Sequence, residues 1–117
     1  MIPSVNSTIS ALQAYKKRLG VTADNIANVN TDEFKKSRAI FQEGTNGDVQ
    51  VNINRVNAPG HLYQDLEGDQ PVEREGSNVN LEEEIPEMSI TQRAYEANLK
   101  VVQIQDKMLG TLLDTIG

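Results

Sequence analysis

Along the first quarter of the chain, apolar or small residues recur at Val5, Ile9, Leu12, Leu19, Ala23 and Ile26, in steps that alternate four and three, with Lys16 in the one missing position. Steps of four and three return the same face of a helix every two turns, the rhythm of a helix packed along a seam. The pattern predicts a helix over about residues 4–28, with Ser4 as its N-cap. Gly20 weakens that helix by about 1 kcal/mol relative to alanine. The same rhythm runs longer at the other end, through Leu81, Ile85, Met88, Gln92, Tyr95, Leu99, Val102, Asp106, Leu109, Leu113 and Ile116. Asn80 followed by Glu83 resembles a capping box, and the run Glu82-Glu83-Glu84 suits the positive end of a helix dipole. Pro86 lacks an amide donor and predicts a kink, or a start displaced to Pro86 itself.

The middle is poorer in apolar residues. Val49, Val51 and Ile53 alternate with Gln50, Asn52 and Asn54, the period of a half-buried strand, between turn signals at TNGD and APGH. SRAIFQE and QPVERE are candidate partner strands, and Leu62 to Gly68 reads as loop. The expected fold is mainly α with a small β region: long N- and C-terminal helices paired antiparallel, coiled-coil-like, with a small β-hairpin segment between them. One structural domain then comprises an N-terminal helix (1–30), a β/loop segment (31–79) and a C-terminal helix (80–117).

Antiparallel pairing invites a specific register. Setting Leu12 against Leu109, Leu19 against Val102 and Ile26 against Tyr95 also places Lys16 opposite Asp106, so the two charged interruptions meet. Polar seam residues of this kind fix alignment at some cost in stability; the alternative is that both charges reach out to solvent unpaired. Leu99 completes this intramolecular seam. The C-terminal helix also carries a second apolar row, Ile90, Ala94, Ala97, Val101, Ile104, Met108 and Leu112. One partner helix covers only one row. Either the middle segment folds over the second row or another subunit does; the small apolar content of the middle favours the subunit.

Asn25, Asn28 and Asn30 cluster where the first helix should end. Asparagine is a poor helix interior residue but tolerates the left-handed conformation that terminates helices, so the expected exit has Asn28 in that conformation. Asn25 and Asn30 then bond local backbone, with Asn30 and Glu33 capping the next turn.

Composition narrows the function. Seventeen acidic against 11 basic residues give a net charge of −6, which argues against nucleic acid as a partner. With no cysteine, thiolate chemistry, disulfides and Cys-ligated zinc are excluded. No stretch has the length of a membrane span, so no membrane insertion is expected, and the N-terminus has no cleaved-signal pattern. His61 is the only histidine and has no nucleophile or ligand partner by motif. Asp65, Glu67 and Asp69 alternate as in calcium loops but lack the closing bidentate glutamate and flanking helices. No catalytic residue, cofactor site or metal site is expected.

The stretch LGVTADNIANVNTDEFKKSRAIF (Leu19 to Phe41) resembles the N-terminal signature of flagellar basal-body rod and hook proteins, through Asn25-Ile26-Ala27-Asn28, Asn30-Thr31 and Phe34. GSNVNLEEEIPEMSITQRAYEANLKVVQIQDKMLGTLLDTIG (Gly76 to Gly117) resembles the family's C-terminal signature through Asn78-Val79, Arg93-Ala94-Tyr95, Ala97-Asn98 and Met108-Leu109. The resemblance implies an antiparallel helical pair that stacks with neighbours into a hollow tube. It implies as partners further copies, other rod and hook proteins and the flagellar type III export apparatus, and a place in the periplasmic rod reached without a cleaved signal. The small middle segment looks most like a proximal-rod subunit of the C type. The chain departs from the family in having Asp32-Glu33 where a Pro-Gly turn is usual, and in Pro86 within the C-terminal helix. A non-polymerising assembly or export adaptor, or a rod-protein paralogue, built on the same helical pair is the alternative function.

Overall fold

The computed structural model describes residues 2–117, with side chains from Val5 onward. Two long helices frame two β-hairpins in an elongated molecule of 82 × 25 × 18 Å. Helix α1 spans Ile2–Ala27 and helix α2 spans Leu81–Ile116. Between them lie β1 (Ser37–Glu43), β2 (Val49–Arg55), β3 (Leu62–Glu67) and β4 (Gln70–Glu75). The strands pair as two separate antiparallel ribbons, β1 with β2 and β3 with β4. The expected fold class is the one observed.

The first hairpin lies along α1. Tyr15 meets Phe41 edge-on, with ring centroids 5.1 Å apart, and the Arg18 guanidinium sits 4.6 Å from the same Phe41 ring. Val49 donates its backbone N–H to the Ser10 hydroxyl at 3.0 Å, and the Ser7 hydroxyl donates to the Gly47 carbonyl at 3.0 Å. Beyond the Arg38 side chain near the start of β1, neither strand reaches α2, so the middle segment does not fold over the second row of that helix.

The second hairpin corrects the sequence reading of residues 62–68 as loop: Leu62–Glu67 is strand β3. Its side chains are exposed except for half-buried Tyr63, so no hydrophobic alternation marks it. Pairing with β4 makes the strand, through the two-residue link Gly68-Asp69, where Gly68 takes a left-handed φ of 68°. The base of this hairpin is pinned by a close backbone crossing. A Cβ on Gly60 would lie 2.1 Å from the Gly76 carbonyl oxygen, and one on Gly76 would lie 2.3 Å from the His61 ring.

Helix boundaries also differ from expectation. α1 begins at Ile2, ahead of Ser4, whose side chain lies outside the described residues. α2 begins at Leu81 and runs unbroken through Pro86, so its start is not displaced. Asn80 takes the extended backbone of an N-cap but makes no side-chain capping bond, so the capping box does not form. Asn28 is not left-handed. Its amide instead donates back to the Asp24 carbonyl at 2.9 Å, and its side-chain oxygen accepts from Thr31 at 3.1 Å. Asn30 is exposed and caps nothing.

The left-handed residue is Glu33, with φ 62°. Its Cβ disfavours that backbone shape, at a cost of roughly 1–2 kcal/mol. Glu33→Gly should stabilise the protein by about 1 kcal/mol, read as a higher urea midpoint with an unchanged slope; a lower midpoint would show that the turn carries no strain.

Candidate assembly surface

Where the bases of the helices meet the hairpins, the buried residues are mostly polar. Among the described residues, buried apolar side chains are few (Ala14, Ala39 and Val79), while Thr22, Asn25, Ser77, Asn78, Glu84 and Thr91 are also buried. Asn25 and Glu84 are 0% exposed. The Asn25 side chain donates to the Ser37 carbonyl at 2.9 Å and to the Glu84 carboxylate at 3.3 Å, and accepts from the Ser37 N–H at 3.0 Å. The second Glu84 oxygen accepts from Arg38 Nη1 at 2.6 Å. One asparagine thus joins α1, β1 and α2, and the buried carboxylate is both paired and hydrogen-bonded, as burial requires.

A second asparagine ties the loops. Asn78 accepts from the Lys36 N–H at 2.7 Å and donates to the carbonyls of Val56 and Ala58, each at 2.9 Å. Around it stand Lys36–Glu83 at 3.3 Å and Arg38–Glu83 at 3.0 Å, together with the Lys35–Glu75 pair. Glu75 also accepts from the Gly60 N–H at 2.9 Å. The Lys36 hydrogen bond and charge hold the Glu83 carboxyl below its ordinary range. The Lys35 hydrogen bond, helped by the Gly60 N–H, does the same for Glu75. Tyr63 donates to both Asp32 carboxylate oxygens at 2.7 Å, and that bond raises the phenol's pKa.

This junction fixes the register of the helices. Arg18 Nε meets Glu87 at 3.0 Å, three residues beyond Glu84. Counting from those two contacts along antiparallel helices, Leu12 falls at about the level of Tyr95, Leu19 of Met88 and Ile26 of Leu81. Lys16 and Asp106 are then about 20 Å or more apart along the axis, and no ion pair joins them. The expected pairings of Leu12 with Leu109, Leu19 with Val102 and Ile26 with Tyr95 are likewise displaced by about two heptads. Heptad seams are nearly degenerate to such slips; flush helix bases, locked by buried polar groups, select one.

The face of α2 turned toward α1 is also different. Glu84, Met88, Thr91, Tyr95, Asn98, Val102 and Gln105 alternate by four and three and are buried or half-buried. Thr91 bonds the Glu87 carbonyl at 2.8 Å and Asn98 the Ala94 carbonyl at 2.9 Å, so these two polar members find partners within the helix. Of the expected seam, Leu12, Leu19, Ile26, Tyr95 and Val102 are half-buried, while Leu99 and Leu109 are 39% and 43% exposed. In the second row Ala94 is half-buried, and Ile90, Ala97, Val101, Ile104, Met108 and Leu112 are exposed. α2 therefore presents apolar flanks on both sides of a largely polar inner face. Its last three turns or so project past the start of α1.

The residues weighed for chemistry do not converge. His61 stacks on Tyr63 with centroids 5.9 Å apart, beside Asp32, while Asp65 pairs with Arg74 at 3.1 Å. Among the described residues no three acidic or histidine side chains are placed to hold a metal ion. No described helix is long and apolar enough to cross a membrane.

Residues 6–35 match the family model for flagella basal body rod protein, and residues 74–115 match the model for the C-terminal part of the flagellar basal body rod FlgEFG proteins. The first segment holds Asn25 and the second holds Asn78 and Glu84, so the two matches meet at the junction. The chain is 28% identical over 145 aligned positions to the flagellar basal-body rod protein FlgC of Borreliella burgdorferi, covering 97% of this chain and 95% of that protein. It is 49% identical over 43 residues to the flagellar hook protein FlgE of the same organism, 37% of this chain and 10% of that protein. Against the rod protein FlgG of Bacillus subtilis it is 46% identical over 43 residues, 37% of this chain and 16% of that protein.

Two expectations test the junction. Arg38→Ala strands a buried carboxylate and should cost about 3 kcal/mol, whereas Arg38→Ala combined with Glu84→Gln should recover much of that loss; equal urea midpoints for the single and double variants would deny the pairing. Glu75 and Glu83 have folded pKa values below their ordinary 4.5, so their contribution is present above that value and is lost as pH falls through the lower folded values. Thermal midpoints should therefore drop below about pH 4.5, and less so in a Glu75→Gln, Glu83→Gln double variant.

Proposed function

The chain belongs to the flagellar basal-body rod protein family, and on that premise we propose that it is a structural subunit of the bacterial flagellar rod, built into a tubular axial structure by helix packing. Membership makes the role structural and the place flagellar. The finer reading rests on one observation: both flanks of α2 are apolar and exposed, and neither hairpin of the same chain covers them. Exposed apolar surface of that extent is what an assembling subunit buries against neighbours.

In this reading α1 and α2 form the unit, with Leu12, Leu19, Ile26, Tyr95 and Val102 along its seam. Leu99 and Leu109 join the surface offered to neighbours, alongside Val101, Ile104, Met108 and Leu112. Partners are further copies and other rod and hook proteins, and delivery is through the flagellar type III export apparatus.

Deletion of the gene in its host should leave basal bodies with absent or truncated rods in electron micrographs, restored by the intact gene. Ile104→Asp should not restore them. Ile104 is 55% exposed, so the purified variant should keep its thermal midpoint within a degree or two. Full rods from that variant would remove α2 packing as the basis of assembly.

A further inference from the structure

The second hairpin stands apart from both helices, packing on neither. It is nonetheless held firmly at its base, by the Gly60–Gly76 crossing, the Lys35–Glu75 pair and the Tyr63–Asp32 bonds. The pairing of Leu62 with Glu75, Gln64 with Glu73 and Leu66 with Pro71 puts all six on one face of the ribbon. On that face Leu62 and Leu66 are 64% and 70% exposed, and Glu73 has no ion-pair partner among the described residues. Within Leu62–Glu75 there are five acidic residues and one base, Arg74.

The complementary pattern is on α2. Arg93, Lys100 and Lys107 follow one another at heptad spacing, all exposed and none in an ion pair among the described residues. Ala97 and Ile104 lie three or four positions from them, so a basic row borders an apolar row along one flank. Arg93 to Lys107 spans about 21 Å of helix, and the six-residue strands of the ribbon span about 20 Å.

We propose that the Leu62/Leu66 face of the second hairpin docks on the Arg93–Lys107 flank of α2 in a neighbouring copy of this chain. The inference rests on the reading that copies assemble, and it names one contact by which they do so. Leucines meet the apolar row while Glu73 faces the basic row, and these two patches do not meet within one molecule. Because they differ, the contact is heterologous: each copy offers a hairpin to one neighbour and a helix flank to the next, so the chain of contacts propagates instead of closing as a twofold dimer does. Its ionic part adds direction and selectivity to an apolar contact that has little of either.

The chain has no cysteine, so pairs can be introduced cleanly. A Leu66→Cys, Ile104→Cys chain, expressed beside the intact gene so that assembly does not depend on it, should give oxidant-dependent cross-linked dimers and higher oligomers in isolated basal bodies. Neither single-cysteine chain should do so. Adding Glu73→Lys should abolish the cross-link, and adding Lys100→Glu as well should restore it. Incorporation of the double-cysteine chain without any cross-link overturns the docking and leaves the rod role standing. Absence of even the intact chain from basal bodies overturns both.

Discussion

Everything in this molecule hangs from the buried contact among Asn25, Ser37, Glu84 and Arg38. It joins the last turn of α1, the first strand and the first turn of α2, and its Asn25 and Glu84 side chains have no solvent to fall back on. In a core with so few fully buried apolar side chains, hydrophobic area alone specifies little about how the parts sit. Directional bonds to an enclosed carboxylate specify a great deal, because any misplacement leaves a charge desolvated and unpaired. Asn78 performs the same service for the loops, leaving both hairpins rooted in one polar knot.

From that knot the helices extend like two unequal arms. The inner face of α2 is small and polar enough to sit against α1 without consuming the large aliphatic residues, which remain on its flanks. An isolated subunit is thereby left with exposed apolar surface and a projecting helix end, a costly arrangement for a monomer and a useful one for a component that is completed by neighbours. Rigidity is concentrated at the junction, and interaction surface is spread along the arms. The left-handed Glu33 lies beside the junction, its N–H donating to the Glu75 carbonyl, so a conformation the residue disfavours is held there.

What the amino-acid sequence determined by itself was local and periodic. The heptad steps gave the two helices, and period-two alternation gave β2, with Ser37–Glu43 and Gln70–Glu75 as further candidate strands. The excess apolar row on α2 was visible as a row without an internal partner. These follow from residue spacing alone, because helix and strand each repeat over a few residues. Tertiary structure decided the rest. β3 exists through pairing, with no pattern of its own. The helix register is set by partners 59 positions apart, Asn25 and Glu84, and the heptad repeat, being nearly the same after every slip, could not choose it. Asn25 and Glu84 read locally as a helix exit and a dipole charge; folded, they bond each other, since a polar side chain's buried partner is a property of the three-dimensional arrangement and leaves no period in the chain.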